Sequence, residues 1–149
     1  MIPKIIHYIW FGGKSFPDRV QKCIDSWHKY MPEYEFKLWN EETFDVNSVE
    51  FTKQSYANKK WAFVSDYVRI YALNRFGGWY FDTDIEILRP LAPFEDKRMV
   101  LGTDHDGALT ALMGSEPGHP YWKEMLEKYD SMRFLKEDGS FNMTVNKTH

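Results

Sequence analysis

The residues with the most chemistry to offer are Asp82 and Asp84, which flank Thr83 inside an apolar run, WYFDTDIEIL. Side chains two apart in an extended strand point to one face, so Tyr80, Asp82 and Asp84 are expected to share one. Two carboxylates this close repel unless something positive lies between them. A hard divalent cation such as Mg²⁺ or Mn²⁺ meets that need. It prefers oxygen ligands and is commonly held by one or two carboxylates together with substrate phosphates. Bound there, it would act as a Lewis acid on a leaving diphosphate. The competing reading is a solvated acidic turn at a strand end, and three residues alone do not choose between them.

A second group lies just upstream. Ser65, Asp66 and Arg69 are almost the only polar residues in the stretch WAFVSDYVRIYALNRF. Asp66 and Arg69 are three apart, hence on one helical face and able to pair. As an isolated pair they read as an internal ion bridge. On a helix this apolar, however, buried charges lose their hydration unless they border a polar cleft. Gly77-Gly78 folds the chain back after this helix, which brings Asp66, Arg69, Asp82 and Asp84 within reach of one pocket.

The elements that must position these residues are legible from pattern. Lys4 to Phe11 is a β-branched and aromatic run closed by Gly12-Gly13, a buried first strand. From Pro17 to Tyr30 the apolar residues Val20, Ile24 and Trp27 recur at helical spacing, and Pro32 follows. Tyr34 to Trp39 alternates as a second strand, so the first forty residues predict a parallel βαβ unit. Residues 47–58 are polar and weakly patterned, short helices or a loop. Trp61 to Phe76 is apolar around most of its circumference, which predicts a deeply buried helix, stopped at Gly77 where a left-handed residue is wanted. Trp79 to Leu88 then reads as the acidic strand, ended by Arg89-Pro90. Met99 to Gly102 and Ala108 to Met113 are further short strands, His119 to Met132 is a helix, and Glu137 to His149 is loop.

Composition bounds what such a chain does. Its 149 residues carry 19 basic and 22 acidic side chains, a net charge of −3, with 43% hydrophobic residues. That excludes a disordered acidic tail and argues against general nucleic-acid binding, which needs a basic excess. The length predicts one domain over 1–149. A lone cysteine, Cys23, makes no internal disulfide and sits on the apolar side of its helix. No apolar stretch approaches the roughly 20 residues of a membrane span, and the start lacks signal-peptide character. A cytoplasmic protein is therefore expected. The 6 Trp, 9 Tyr and 11 Phe amount to 17% of the chain. Such content suits a core, and it also suits stacking on bases or sugars.

The blocks IPKIIHYIWFGG, SDYVR and FGGWYFDTDIEILRPL, in that order, resemble glycosyltransferase family 32, the sugar-binding-region group with an Asp-x-Asp motif. They are similar, more distantly, to the catalytic domains of glucosylating bacterial toxins. The resemblance runs from Ile2 to about Asn142. It implies a GT-A, Rossmann-like α/β fold and a metal-dependent retaining transfer from a nucleotide-sugar, a UDP- or GDP-sugar, with Mn²⁺ or Mg²⁺. It further implies that Ile9 and Trp10 pack against the nucleoside, with Trp10 stacking the base. Without the resemblance, Trp10 reads as a core aromatic. Asp66 would hydrogen-bond sugar hydroxyls with Ser65 beside it, Arg69 would grip the sugar or its phosphate, and Tyr80 would touch the donor. Asp82 would reach the ribose and, through water, the metal, leaving Asp84 as the direct ligand. The acceptor implied is a saccharide or lipid-linked oligosaccharide, which places the protein near the inner face of a membrane. Family members generally continue past the point where this chain stops, so its closing segment is expected to be missing.

Other signals are weaker. His7 reads as a satisfied buried histidine, His119 as a helix starter, and His105-Asp106 as a polar loop near the acceptor side. Gly12-Gly13 is too little for a phosphate loop, although its amides lie where a nucleotide could approach. Asn142 and Asn146 begin accidental glycosylation sequons. Two other classes compete: an Asp-x-Asp phosphohydrolase with an aspartyl nucleophile, and a non-catalytic nucleotide-sugar binder. Glu86, standing two residues after Asp84, counts against the phosphohydrolase.

Overall fold

The structure is a computed structural model that describes residues 1–104 and 107–131. The loop expected from Glu137 to His149, the two sequons and the His105-Asp106 pair all lie outside them. Strand β1 (Ile5–Ile9) is followed by helix α1 (Asp18–Tyr30) and strand β2 (Glu35–Trp39). The two strands pair in parallel, with Ile5 opposite Glu35 and Ile9 opposite Trp39, as the βαβ expectation requires. A short 3₁₀ turn (Val46–Ser48) and helix α2 (Glu50–Ala57) occupy the weakly patterned stretch. Its start is fixed by Asp45, whose carboxylate accepts from the Asn47 amide.

Helix α3 (Trp61–Phe76) runs back to strand β3 (Gly78–Phe81), and strands β4 (Met99–Asp104) and β5 (Gly107–Ser115) precede helix α4 (Pro120–Ser131). The sheet order is β2-β1-β3-β5-β4. β3 joins β1 in parallel, while β5 is antiparallel to both β3 and β4. Alternation along the central strands sends Ile6, Trp79 and Phe81 toward α1, with Val20, Ile24 and Trp27. Ile9, Tyr80 and Met113 face the other way, toward α3 and α4. The sheet is thus covered on both faces, and α3 is buried nearly all round, as its sequence predicts.

The α3–β3 junction depends on two glycines. Gly77 and Gly78 have φ of +66° and +102°, and a Cβ on Gly78 would stand 2.7 Å from the Ile5 carbonyl oxygen. Only a residue without a side chain lets β3 lie this close to β1. Cys23 is buried, and His119 starts α4 by accepting from the Tyr121 amide.

One expectation needs correcting. The acidic strand was predicted to run from Trp79 to Leu88, but β3 ends at Phe81 and Asp82 to Asp84 lie in a turn. The Asp82 amide still bonds the Ala111 carbonyl of β5, and the Ile85 amide closes back on the Asp82 carbonyl. Beyond this the chain leaves the sheet because α1 offers better partners. Trp27 donates its indole N–H to the Ile85 carbonyl at 2.8 Å, and Ser26 Oγ accepts from the Ile87 amide at 2.8 Å. Alternation of Ile85 and Ile87 thus reports burial against a helix, not continued strand pairing.

Candidate functional site

A cavity of about 440 Å³ opens at the carboxyl ends of β1 and β3. Parallel α/β sheets place ligand crevices in this position, because the loops that leave neighbouring strands diverge there. One wall is the segment after β1, from Ile9 to Gly12 with Lys14. The first turn of α1 adds Arg19, and the start of α3 adds Trp61, Ala62 and Ser65. Tyr80, Asp82, Thr83 and Asp84 form the opposite side. Of the residues singled out in the sequence, Ile9, Trp10, Ser65, Tyr80, Asp82 and Asp84 meet here.

Asp66 and Arg69 stand directly behind this wall rather than on it. Arg69 is 7% exposed, and all three of its nitrogens are engaged by the protein. Nε donates to the Ser65 carbonyl at 3.2 Å, and one terminal nitrogen donates to the Thr110 carbonyl at 2.9 Å. The other donates to Ser65 Oγ at 3.2 Å and pairs with Asp66 at 3.3 Å and Asp82 at 3.4 Å. The guanidinium also lies 4.6 Å from the centre of the Tyr80 ring. The sheet itself supplies one of these partners. β5 bulges opposite Leu101 and Gly102, so Thr110 and Ala111 are not paired to β4. The Thr110 carbonyl serves Arg69, and the Ala111 carbonyl serves the Asp82 amide.

Tyr80 completes the support. Its hydroxyl donates to Asp82 Oδ1 at 2.5 Å. Burial, opposed by Arg69, raises the Tyr80 phenol far above its ordinary value, so it remains a donor at any working pH. Asp82 therefore has one oxygen fixed by a phenol and a guanidinium, while its side chain stays 33% exposed toward the cavity. Asp84 is exposed, and among the described residues no cation lies within ion-pair distance of it.

This donor set fits a hard divalent cation. Among the described residues no group of three or more His, Cys, Asp or Glu forms a metal cage. The protein offers two carboxylates on the rim of a cavity and leaves the remaining positions to water and phosphate oxygens. Mg²⁺-type ions are bound in this way, whereas Zn²⁺ sites supply three or four protein ligands.

The opposite wall is held by aromatic contacts and a carboxylate clamp. Trp10 is half-buried, packs edge-to-face on Phe16 at 5.4 Å, and donates its indole N–H to the Lys14 carbonyl at 2.7 Å. Its N–H is thus used by the chain, and what it offers a ligand is its ring face. The Gly12 amide, which the sequence left available to a nucleotide, instead donates to Glu41 at 2.8 Å. Tyr56 donates to the same Glu41 oxygen at 3.1 Å. Burial pushes the Glu41 carboxyl up, but the Gly12 amide, its own backbone amide and the Tyr56 hydroxyl prevail and hold it below the usual range. Sequence reading missed Lys14, Arg19 and Trp61. Exposed basic residues resemble any solvated surface, and Trp61 reads as one more apolar position of α3.

The α/β sheet carries a strand-end cavity with a pair of carboxylates on one side and an aromatic wall on the other, the position in which such sheets hold ligands. The chain belongs to the glycosyltransferase family described as the sugar-binding region containing the DXD motif, which it matches over residues 17–105. It is 31% identical over 156 residues to mannosyl phosphorylinositol ceramide synthase SUR1 of Saccharomyces cerevisiae, covering 91% of this chain and 37% of that protein. It is 30% identical over 142 residues to inositol phosphoceramide mannosyltransferase 3 of Schizosaccharomyces pombe, covering 89% and 38%. An uncharacterized glycosyltransferase of Acanthamoeba polyphaga mimivirus matches at 26% over 155 residues, covering 97% and 60%. The chain therefore spans well under half the length of the yeast relatives. Among solved structures, the PaToxG glycosyltransferase superposes with a TM-score of 0.68 at 18% identity, over 85% of this chain and 58% of that one. That likeness establishes the GT-A type of α/β fold.

Proposed function

We propose that the protein transfers a sugar, mannose in the first instance, from a nucleotide-sugar to the hydroxyl of a lipid-linked acceptor. The observation that carries this reading is the carboxylate pair. Asp82 and Asp84 sit at the mouth of a strand-end cavity, one braced from behind by Arg69 and Tyr80 and the other open. Family membership supports sugar transfer, and the names of the fungal relatives supply mannose and an inositol phosphoceramide acceptor.

Asp84 and the outward side of Asp82 would hold Mn²⁺ or Mg²⁺. Such an ion, when bound, lowers the energy of the departing diphosphate by neutralising its charge. The chain's own contribution is placement. Trp10 and Trp61 offer flat faces for the base, and Arg69 and Tyr80 lock Asp82 so that its orientation is set before a donor arrives. Asp66 acts with them by sharing the Arg69 charge. The lining residues include no carboxylate beyond Asp82 and Asp84. With both assigned to the ion, no carboxylate among the described lining residues is left to form a glycosyl-enzyme, so the retention implied by the family would proceed by attack from the face the diphosphate leaves.

A donor panel tests this. GDP- and UDP-linked sugars are offered with Mn²⁺ and a detergent-solubilised inositol phosphoceramide, and nucleoside diphosphate release and product anomer are read. Turnover that is equal with and without a chelator would sink the metal-dependent reading. A chain that binds donors tightly yet turns over none would favour the non-catalytic binder.

A further inference from the structure

We propose that Lys14 and Arg19 form the anion-binding half of this cavity and grip the diphosphate of the donor. The inference rests on the nucleotide-sugar reading and assigns the phosphate contact to residues other than Arg69. Four charged side chains among the described residues line the cavity together: Lys14 and Arg19, and Asp82 and Asp84. Arg69 lies behind the wall with its guanidinium taken by Ser65, Thr110, Asp66 and Asp82, so reaching a phosphate would cost it bonds already made. Neither Lys14 nor Arg19 takes part in an ion pair among the described residues.

Their side chains are exposed, but their backbones are pinned. Arg19 precedes Val20, which is 2% exposed in the α1 core contact. The Lys14 carbonyl accepts the Trp10 indole N–H, so any ring movement on base stacking is coupled to the residue that carries the ammonium. Two long cationic arms on fixed anchors suit a ligand whose phosphates must be gathered from solvent, and a guanidinium fork matches phosphate oxygens bidentately.

Charge balance selects the ligand. A divalent cation on Asp82 and Asp84 is neutralised by those two carboxylates. A nucleoside diphosphate sugar then brings two further negative charges, which Lys14 and Arg19 match. Departure of the sugar leaves one more negative charge on the nucleotide, and the basic wall adds to the ion in stabilising it.

Titration calorimetry of the whole chain with Mn²⁺ tests this, using UDP, GDP, inorganic pyrophosphate, uridine and guanosine as probes. Arg19→Gln and Lys14→Gln are each expected to weaken nucleoside diphosphate and pyrophosphate binding roughly tenfold, with charge-keeping Arg19→Lys and Lys14→Arg recovering most of it. Nucleoside binding should not change, and the salt dependence of diphosphate affinity should fall in the neutral variants. Both residues are exposed, so melting temperatures should match the wild type. Diphosphate binding that is equal in wild type and both Gln variants would overturn the proposal while leaving the nucleotide-sugar reading intact. Wild type that binds neither UDP nor GDP with Mn²⁺ would overturn the reading and the proposal together.

Discussion

The two charged walls of the cavity are built in opposite ways. On the acidic side, Asp82 is held by Tyr80 and Arg69, and Arg69 is held by Ser65, Thr110 and Asp66. Apart from the exposed Asp84, the charges there have fixed partners, and around Arg69 they lie in low-dielectric surroundings, where electrostatic interactions are strong and misplacement is expensive. On the basic side, Lys14 and Arg19 reach from pinned backbone into solvent with no ion-pair partner among the described residues. A site that must present a metal ligand in one orientation gains from the first construction. One that must collect a flexible anion gains from the second. The same residue type, arginine, serves both: Arg69 as a brace and Arg19 as a hook.

Substitution on the acidic wall should separate chemistry from scaffold. Asp84→Ala is expected to lower Mn²⁺-dependent turnover on the order of a thousandfold, equivalent to about 4 kcal/mol of transition-state stabilisation. Because Asp84 is exposed, the folding free energy should move by no more than about 0.5 kcal/mol. Turnover near the wild-type rate would place the ion elsewhere. Arg69→Gln should behave differently, since it leaves Asp66 and Asp82 facing each other without their shared cation. A loss of about 3–5 kcal/mol in denaturant unfolding is expected, accompanied by loss of activity. If the variant unfolds like wild type but fails only in donor affinity, Arg69 is a direct donor contact and the brace is wrong.

The difference between the walls also explains what could be read in advance. The limits of α3 were legible as Trp61 to Phe76 because an apolar run closed by Gly77-Gly78 has one reading. The parallel β1–β2 pair followed from a helix with clear period between two apolar runs. Asp82 and Asp84 stood out because acids are rare in such a run, and Asp66 and Arg69 for the same reason on α3. What could not be read were partners set by tertiary contact. Nothing near Arg69 in the chain announces the Thr110 carbonyl, which becomes available only where β5 bulges away from β4. Nothing in the pattern of Ile85 and Ile87 shows that Trp27 and Ser26 draw them off the sheet. Lys14 and Arg19 were passed over because a basic residue is distinguished from its solvated neighbours by the cavity it faces.

A buried group away from the cavity offers a calibration of how firmly this half of the sheet holds its polar atoms. His7 lies between the Gly77 carbonyl, 2.8 Å from Nε2, and the Trp39 indole, which donates to Nδ1 at 3.0 Å. The Trp39 bond fixes Nδ1 as acceptor, so Nε2 carries the proton and the ring is neutral. Burial, partly opposed by the Gly77 bond, lowers its pKa from 6.5 to about 4. The unfolded chain takes up that proton near pH 6.5 while the fold refuses it. The contribution is therefore complete above pH 6.5 and disappears as pH falls from there toward 4, up to about 3 kcal/mol. His7→Gln should flatten this part of the denaturation-midpoint profile. An unchanged slope would show that other groups carry it.

The smallest effect is the most informative about coupling between the walls' supports and the ion. Tyr80→Phe removes one hydroxyl from a ring that is 2% exposed and leaves the ring under Arg69. Asp82 loses one of the two groups that orient Oδ1, while the Arg69 pair at 3.4 Å remains. Stability should fall by about 1 kcal/mol, since one charge-assisted hydrogen bond disappears without a cavity opening. Mn²⁺ affinity, read by the displacement of a competing ion or by relaxation of bulk water, should fall by roughly tenfold, as expected when a partner that orients a metal-binding carboxylate is lost. Nucleoside binding should stay where it was, because Trp10 and Trp61 are untouched. If Mn²⁺ affinity holds while stability drops, Asp82 is oriented by Arg69 alone, and Tyr80 serves the fold but not the ion.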